Sequence, residues 1–384
     1  MKLHIAIPAL DELDFLPQTL DAIKKQKTVF DFTVYVCVNQ PDKWWYDDEK
    51  VRICENNQKL LRFLENYEDF NIYIIDKTSV KKGWSDNRSG VGWARKTLFD
   101  EIFKTAAEED LIISLDADTL FNEHYFQSIG DNFLLNKIKV VSVPYYHKLT
   151  DNENVNRAIL RYEIYLRNYF INMHRIGSPY AFTAIGSAIA VRVNALKKIR
   201  GITPLSSGED FYLLQKLRKM SPISNYNSEI MYPAARFSTR VPFGTGPAMI
   251  KGNKGDWESY PIYPPSLFDK IKETYDIIPD LFLKDMDTEF IEFLKEQYKT
   301  NDLWSPLRKN FKTLPQFTRA FHEKADGLRI LQFLKAKHSL PPPYSTPYTA
   351  LPMAELIKMR DELFEKEMQM RKNGFSPLLN YITQ

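Results

Sequence analysis

A short apolar run that ends in two aspartates constrains the fold of this chain more than any other stretch. Residues 110–115 read Asp-Leu-Ile-Ile-Ser-Leu and lead directly into Asp116-Ala117-Asp118. Such a continuous run is typical of a strand buried on both faces of a parallel sheet. Residues two apart on an extended chain point to the same side, and open α/β sheets bind ligands beyond the carboxyl ends of their strands. The pattern therefore predicts two neighbouring carboxylates at a ligand-binding edge.

The paired carboxylates have two interpretations. Two hard oxygen ligands on one side suit Mg²⁺ or Mn²⁺, which proteins usually hold with one or two carboxylates and the phosphates of a substrate. Alternatively, the aspartates belong to a polar turn, and Asp118 caps the helix that the following residues predict. Apolar residues recur there at roughly helical spacing, at Leu120, Phe121, Tyr125, Phe126, Ile129 and Phe133. The spacing of the aspartates alone leaves both interpretations open.

Composition excludes several classes of protein. The chain has 384 residues, of which 44% are hydrophobic and 26% charged, so it is globular rather than disordered. Its net charge of +3 is too balanced to indicate a nucleic-acid partner. No apolar run approaches the length of a membrane span, so any membrane contact would be peripheral. The chain enters a strand without a signal-like segment, and Cys37 and Cys54 have no metal-type spacing, which favours a reducing, cytoplasmic location.

Strands and helices alternate along the first two thirds of the chain. We predict strands at residues 3–9, 32–38, 72–75, 110–116, 140–144 and 181–193. The predicted helices are one that carries Leu16, Leu20 and Ile23, then 47–67, 93–107, 152–176 and one that opens at about 206–210. Asp11 or Asp14 is expected to cap the first, and 152–176 is expected to pack its single apolar face on the sheet. Such alternation predicts βαβ units and a mainly parallel sheet.

The character of the sequence changes after about residue 235. Residues 236–247 form a loop rich in glycine and proline that carries Arg236 and Arg240. Residues 265–340 look helical, Pro341–Pro343 is a break, and 352–372 is an amphipathic helix. We therefore predict a main domain at 1–250 and a mostly helical C-terminal extension at 251–384.

Four motifs follow one another along the main domain: Ile5-Ala6-Ile7-Pro8-Ala9 with Glu12, then Gly92 with Ala94 and Arg95, then Asp116-Ala117-Asp118, then Gly208-Glu209-Asp210. In this order they resemble the motifs of family 2 nucleotide-sugar glycosyltransferases over roughly residues 1–250. The resemblance implies a GT-A fold, in which a Rossmann-like, mainly parallel sheet is flanked by helices. It also implies a nucleotide-sugar-binding half at about 1–120 and an acceptor half at about 121–250.

The resemblance implies roles for individual residues as well. The donor would be a UDP- or GDP-sugar, bound by Pro8, Ala9, Glu12, Asn39, Asp76, Arg95 and Asp116. Asn39 stands where the family usually has an aspartate, and its amide oxygen can still accept a hydrogen bond from a uracil N–H. The Asp-x-Asp motif would bind Mn²⁺ or Mg²⁺ through Asp116 and Asp118, with His147 as a candidate third ligand.

Sugar transfer itself requires two kinds of group. A divalent ion can stabilise the departing diphosphate as a Lewis acid, and a carboxylate can take the proton of the attacking hydroxyl. Asp210 is the candidate general base of an inverting reaction, and Glu209 would bind acceptor hydroxyls. Arg236 and Arg240 would offset the diphosphate charge or hold an anionic acceptor.

Structural interpretations of the same residues stay open. Ser206-x-x-Glu209 matches a capping box, in which the two acids would serve only to begin a helix. Arg95, Arg236 and Arg240 are also compatible with solvated charges on the surface. A lone histidine beside aromatic residues, such as His147, is more often structural than a metal ligand.

We therefore expect a metal-dependent, inverting glycosyltransferase that moves one sugar to a glycan, glycolipid or small-molecule acceptor. The Gln-x-x-Arg-Trp motif of processive family members is absent from the sequence. A nucleotidyltransferase acting on sugar phosphates is a rival, but it would need a glycine-rich basic loop where Leu10-Asp11-Glu12-Leu13 stand. A glycoside hydrolase would leave the Asp-x-Asp motif unexplained. A non-catalytic nucleotide-sugar-binding protein is the third rival.

Overall fold

The computed structural model describes residues 1–85, 88–240, 244–338 and 351–378, with side chains to residue 374 in the last helix. Its strands are β1 (Leu3–Ala9), β2 (Phe32–Asn39), β3 (Ile72–Lys77), β4 (Leu111–Ser114), β5 (Thr119–Phe121), β6 (Val140–Ser142), β7 (Ile189–Arg192) and β8 (Met231–Pro233). Its helices are α1 (Leu16–Lys24), α2 (Val51–Glu65), α3 (Val91–Ile102), α4 (Tyr125–Asn136), α5 (Glu153–Arg175), α6 (Val193–Lys198), α7 (Glu209–Met220), α8 (Thr245–Asn253), α9 (Pro265–Asp276), α10 (Ile278–Leu283), α11 (Glu289–Tyr298), α12 (Ser305–Asn310), α13 (Leu314–Lys324), α14 (Gly327–Lys337) and α15 (Met353–Leu378).

Six of the strands form the central sheet, in the order β3-β2-β1-β4-β7-β6. β1 pairs in parallel with β2 and β4, and β2 pairs in parallel with β3. β7 runs antiparallel to both of its neighbours. The short β5 and β8 form a separate antiparallel pair. The prediction of a mainly parallel sheet flanked by helices, which is the architecture expected of the GT-A type, is confirmed.

Burial on both faces explains why the central strands read as continuous apolar runs. Every residue of β1 and of β4 is buried. α3 packs on β1 and β2, and α2 packs on β2 and β3. Each large aliphatic side chain buried in this way contributes about 1.5–3 kcal/mol. The carboxyl ends of the parallel strands are therefore held at one edge of a well-packed sheet.

Two predicted helix caps are wrong. Asp118 is followed by β5, and α4 begins only at Tyr125, so Asp118 does not cap a helix. The N-cap of α1 is Phe15, without a side-chain hydrogen bond. Asp11 instead adopts a φ of 57°, and its carboxylate accepts a hydrogen bond from Asn56 at 2.8 Å. The polar turn after β4 therefore needs an explanation other than helix capping.

The predicted strand at 181–193 is much shorter than expected. Only Ile189–Arg192 pairs with neighbouring strands. The segment before it contains Gly186, whose backbone lies directly against the guanidinium of Arg95. This contact replaces the ladder that the apolar sequence predicted.

The chain divides into two compact units. Unit 1 contains residues up to Ile159, Phe182–Asp256 and the last helix from Arg371, whereas unit 2 contains Leu160–Ala181 and the described part of Trp257–Met370. The chain therefore crosses between the units four times, inside α5, between residues 181 and 182, between residues 256 and 257, and inside α15, where the sequence predicted a single boundary at residue 250.

Unit 2 is built from helices, as predicted for the C-terminal region. Its apolar core includes Leu160 and Ile164 of α5 together with Ile262 and Leu356. The second half of α5 thus gives its apolar face to unit 2, where the sequence predicted packing on the sheet. The predicted break at 341–343 lies outside the described residues. Among the helices that the structure describes, none is long and apolar enough to cross a membrane.

Candidate active site

The loop after β4 is fixed by hydrogen bonds from three directions. The N–H of Leu115 donates to the Ala6 carbonyl at 3.0 Å, which continues the β1–β4 ladder. The hydroxyl of Thr19 in α1 donates to the Ala117 carbonyl at 2.8 Å. The carbonyl of Asp118 accepts from the N–H of Ala234 at 3.1 Å, just after β8. The loop is therefore held in one conformation, and its two carboxylates meet different partners.

The carboxylate of Asp116 pairs with Arg95, which is the centre of the first cluster of charges. Arg95 lies on α3 and is only 4% exposed. One terminal nitrogen of its guanidinium donates to Asp116 and the other to Glu209, while Nε donates to the Ser114 hydroxyl at 3.2 Å. Burial alone would lower the pKa of Arg95, but Asp116, Glu209 and Asp210 together raise it. Arg95 is therefore a permanent buried cation that binds two acids of the predicted site.

Three glycines bring the parts of this cluster together. Gly90 adopts a φ of +102° at the start of α3, and a Cβ there would lie 2.9 Å from the Ser206 carbonyl oxygen. A Cβ on Gly92 would overlap the backbone of Leu205, and one on Gly186 would overlap the guanidinium of Arg95. The N-terminus of α3 can therefore approach the segment that leads into Glu209, and Arg95 has room for its planar head.

The Glu209–Asp210 pair begins α7, but it does not belong to a capping box. The N-cap is Gly208, with a φ of 73°, and no side chain caps the helix. Glu209 is 2% exposed and paired with Arg95, whereas Asp210 is partly exposed. The Asp210 carboxylate accepts from the Phe211 N–H at 2.7 Å. Burial, followed by the nearby charge of Glu209, raises the pKa of Asp210 to about 7.

A second cluster joins Asp118 to Glu12 through two arginines from the loop after β8. Arg236 donates to the two Glu12 oxygens at 2.6 and 2.8 Å and lies 2.5 Å from Asp118 Oδ2. Arg240 also pairs with Glu12, and its other terminal nitrogen lies 3.9 Å from Asp118 Oδ2. The Arg236 guanidinium lies over the Phe15 ring, 4.0 Å from its centre. We call Glu12, Asp118, Arg236 and Arg240 the arginine–carboxylate quartet.

Burial sets the proton affinities within the quartet. It raises the pKa of Asp118, against the opposing effect of Arg236. It lowers the pKa of Arg240 to about 10. Arg240 therefore remains cationic at neutral pH, and the two guanidiniums balance the two carboxylates.

The side chains as placed do not fit the predicted divalent ion. In the part of the chain that the structure describes, no group of three His, Cys, Asp or Glu side chains could hold a metal ion. His147 is 1% exposed, with its ring 5.7 Å from that of Tyr145, and does not join the two aspartates in such a group. Asp118 Oδ2 lies 2.5 Å from Arg236. The role of His147 as a third ligand stays a prediction.

The residues predicted to bind the nucleoside lie at the ends of β1, β2 and β3. Pro8 and Ala9 are buried in β1, and the Ala9 carbonyl accepts a hydrogen bond from the Asn39 amide at 2.9 Å. The Asn39 amide oxygen accepts from the Trp84 indole at 3.3 Å. Burial would raise the pKa of Asp76, but hydrogen bonds from Ser79, Thr78 and Lys82 lower it to about 2. Asn39 and Asp76 thus each have a local structural partner.

Sequence reasoning missed several residues that position the site. They are Thr19 under the aspartate loop, Ser114 beside Arg95, and Phe15 beneath Arg236. Thr19 gave a usable signal, because it is a polar residue between the inward-facing Leu16 and Leu20 of an amphipathic helix. The contacts of Ser114 and Phe15 depend on distant segments and left no local pattern.

No protein-family model and no curated protein sequence matches the chain. Solved structures similar to it include S. aureus TarS 1–349 in complex with UDP-GlcNAc, with 12% identity and a TM-score of 0.43, covering 97% of this chain and 92% of that one. A longer TarS structure gives 12% identity and a TM-score of 0.39, and this chain spans 44% of its length while 68% of this chain is covered. Glucosyl-3-phosphoglycerate synthase from Mycobacterium tuberculosis with Mn²⁺, UDP and phosphoglyceric acid gives 13% identity and a TM-score of 0.35, covering 58% and 66%. At these values the function of this chain has to be argued from its own side chains.

Proposed function

We propose that the protein is a nucleotide-sugar glycosyltransferase that moves a single sugar from a UDP- or GDP-sugar to an acceptor hydroxyl, with inversion. The observation that carries the proposal is the position of Asp210, a partly exposed carboxyl group beside the Asp116–Arg95–Glu209 cluster. Its carboxyl is partly exposed, and burial and Glu209 raise its pKa to about 7. A general base works best when its pKa lies near the operating pH.

Asp210 acts as the base in the proposed reaction. The acceptor oxygen forms a bond to C1 of the sugar as the bond from C1 to the diphosphate oxygen breaks. The acceptor proton moves to the Asp210 carboxylate, and the electron pair of the broken bond stays on the diphosphate. Attack from the face opposite the leaving group inverts C1. The acceptor is a glycan, a glycolipid or a small molecule.

Glu209 acts through its neighbours in this scheme. Its carboxylate is 2% exposed and paired with Arg95, so it has no free surface for the acceptor hydroxyls that the sequence assigned to it. We assign it instead two positioning effects. It holds the Arg95 guanidinium, and its charge keeps the proton affinity of Asp210 high.

The donor binds along the ends of the parallel strands in our proposal. Asp116 is 37% exposed at its side chain, although paired with Arg95, and can accept hydroxyl groups of the ribose or the sugar. Asn39 keeps a second lone pair on its amide oxygen for a uracil N–H. Pro8, Ala9 and Asp76 shape this edge rather than bind through charge.

The proposed reaction does not use the Mn²⁺ or Mg²⁺ that the sequence predicted. Asp118 is paired with Arg236, and Asp116 with Arg95, so neither carboxylate is placed to coordinate an ion without losing an arginine. The proposed reaction therefore uses only side chains of this protein.

The rival functions find less support. A nucleotidyltransferase would need basic groups after β1, where Glu12 instead lies at the centre of the arginine–carboxylate quartet. A glycoside hydrolase would need no cationic site for a leaving diphosphate. A non-catalytic nucleotide-sugar-binding protein needs no general base, whereas Asp210 offers a partly exposed carboxyl group with a raised pKa.

The Asp210→Asn variant tests the proposal. It should bind UDP or GDP as the wild type does and should lose transfer by about 10²- to 10⁴-fold, because only the base is removed. Binding is measured by thermal shift, since a ligand of the native state raises the melting temperature. Transfer is measured as nucleoside diphosphate released from a panel of UDP- and GDP-sugars with and without acceptors.

Asp151→Asn serves as the matched control, because Asp151 is an exposed carboxylate in the turn before α5. It should leave both readouts unchanged. Undiminished transfer by Asp210→Asn would exclude Asp210 as the base. Failure of the wild type to bind any nucleoside diphosphate would exclude the donor class itself.

A further inference from the structure

In the arginine–carboxylate quartet, two arginines balance negative charge that a divalent ion was expected to balance. Side chains of Glu12 and Asp118 are only 6% and 13% exposed. Leaving buried carboxylates without a nearby cation is strongly destabilising. Arg236 touches both acids, and Arg240 pairs with Glu12. The quartet is therefore neutral from its own side chains.

The backbone builds the quartet into the fold. β8 pairs with β5 antiparallel, with Thr119 opposite Pro233. The Ala234 N–H then donates to the Asp118 carbonyl at 3.1 Å, which places Arg236 two residues beyond the end of this ladder. Sheet pairing thus brings the cation to the second aspartate of the Asp-x-Asp motif.

Arg236 and Arg240 also have N–H groups that do not donate to Glu12 or Asp118. The Nε–H of Arg236 is buried and has no acceptor among the residues that the structure describes. Arg240 donates to the Ser238 hydroxyl at 2.9 Å and to the Leu10 carbonyl at 3.1 Å, but its second terminal nitrogen lies 3.9 Å from Asp118, beyond hydrogen-bond distance. Planar guanidiniums match phosphate oxygens well and bind them with charge-assisted hydrogen bonds.

We propose that Arg236 and Arg240 take the place of a divalent ion, so that this protein binds the diphosphate of its donor without metal. The inference rests on the proposed function and adds the means of holding the leaving group. Cleavage of the bond from C1 to the diphosphate oxygen adds one negative charge to the diphosphate. The two guanidiniums stabilise that charge by donating hydrogen bonds from fixed positions, as preorganised donors stabilise developing charge in other transferases.

Nucleotide binding in the absence of metal is the first test. UDP and GDP are titrated into the full chain by calorimetry, once with EDTA and once with excess Mn²⁺. For whichever of UDP and GDP binds more tightly, we expect the dissociation constants in EDTA and in Mn²⁺ to agree within about twofold. This corresponds to a difference in binding free energy well under 1 kcal/mol. Arg240→Gln should weaken binding roughly tenfold or more under both conditions, which corresponds to one lost charge-assisted hydrogen bond. Arg319→Gln, at an exposed position on α13, is the matched control and should change neither.

Asp118→Asn separates the two mechanisms without depending on an arginine variant that fails to fold. If the aspartate binds a metal, this change abolishes Mn²⁺-dependent nucleotide affinity. If arginines bind the diphosphate, it frees Arg236 from one acid, so affinity in EDTA is retained or increased. Arg236→Lys keeps the positive charge beside Glu12 but removes the planar guanidinium. Weaker nucleotide binding by this variant in EDTA would support the arginine mechanism, and unchanged binding would count against a role for the Arg236 guanidinium.

The outcomes also separate this inference from the proposed function. Binding that appears only with Mn²⁺, or an Asp118→Asn variant that loses all affinity while remaining folded, overturns the arginine mechanism and leaves the glycosyltransferase proposal standing. Absence of nucleotide binding under both conditions by folded wild type overturns both. Equal binding with EDTA and Mn²⁺ supports the arginine mechanism.

Discussion

The carboxyl group of Asp210 lies beside that of Glu209 at the first turn of α7, and this position sets its chemistry at the residue scale. Burial first, and then the Glu209 charge, raises the pKa of Asp210 from its ordinary value of 3.8 to about 7, against the opposing charge of Arg95. Ordinary aspartates are fully ionised at neutral pH, whereas this one changes its charge there. The proton affinity of Asp210 is therefore set by its burial and by the charges of Glu209 and Arg95.

The pH dependence of transfer follows from this shift. Asp210 accepts a proton only when ionised, so the rate should be low at pH 5, rise with pH, and level off above about 8, with a midpoint near 7. The measurement is kcat/KM for transfer between pH 5 and 9. Glu209→Gln should move the midpoint to lower pH, because it removes the neighbouring negative charge. A rate that is flat from pH 5 to 8 would contradict the assignment of Asp210 as the base.

In unit 1, Asp116 and Asp118 follow β4, and Glu209 and Asp210 begin α7, whereas the arginines that pair with these acids come from other segments. Asp116 and Asp118 could be located from sequence because they follow an apolar run, and Glu209 and Asp210 because they precede one. The pairing of Arg236 with Asp118 could not, since it depends on β5 and β8. Each of those strands has only three residues, which is too short for an alternation pattern to be recognised.

The misread capping box has a similar physical origin. Ser206 stands three residues before Glu209, as a capping box requires, yet Gly208 takes a positive φ of 73° and becomes the N-cap. A single glycine therefore moves the helix start by two residues. Residues 241–243, which belong to the predicted loop at 236–247, lie outside the described part, and α8 already begins at Thr245.

Close packing between Gly186 and Arg95 gives a prediction at the scale of elements. Gly186→Ala would put a methyl group into the space of the Arg95 guanidinium. We expect a loss of about 1–3 kcal/mol of stability, as is usual for overpacking, and a large loss of transfer because Arg95 would no longer hold Asp116 and Glu209. Denaturant unfolding and transfer rates measure the two effects.

A double-mutant cycle supplies the control for this prediction. In an Arg95→Lys background the planar head is absent, so the alanine at position 186 should cost much less stability than in the wild type. Contacting residues show such non-additivity, whereas independent ones do not. Additive costs in the cycle would show that Gly186 acts through something other than the arginine.

At the scale of the whole molecule, each of the two compact units is assembled from separate parts of the sequence. The chain leaves unit 1 at Leu160, returns at Phe182, leaves again at Trp257 and returns at Arg371. Unit 2 has its own ionic centre, in which Arg167 pairs with Glu163 and Glu367, and Arg360 also pairs with Glu163. A boundary drawn only from the change in sequence character could not reveal the crossings at 159/160 and 370/371, because these two lie inside the continuous helices α5 and α15.

The interleaving predicts that a chain ending at residue 250 will not fold normally. It would keep Leu160 and Ile164, which are 0% and 2% exposed in the full chain, without their partners Ile262 and Leu356. We expect aggregation or a broad, non-cooperative melting transition, because a sizeable apolar surface is left uncovered. Size-exclusion chromatography and calorimetry of the short and full chains make the comparison. A monomeric short chain with a single sharp transition would show that the two units are separable.

Arg371 of α15 donates to the carbonyls of Ser142 and Asn225, at 3.1 and 2.8 Å, and so completes unit 1 from the far end of the sequence. On the ribosome, residues 257–370 must be made after most of unit 1 has emerged and before this arginine appears. At about 5–20 residues per second this interval lasts roughly 6 to 23 seconds. During that time unit 1 lacks the hydrogen bonds that Arg371 donates to Ser142 and Asn225. We therefore expect this to be the period in which the nascent protein needs chaperones most.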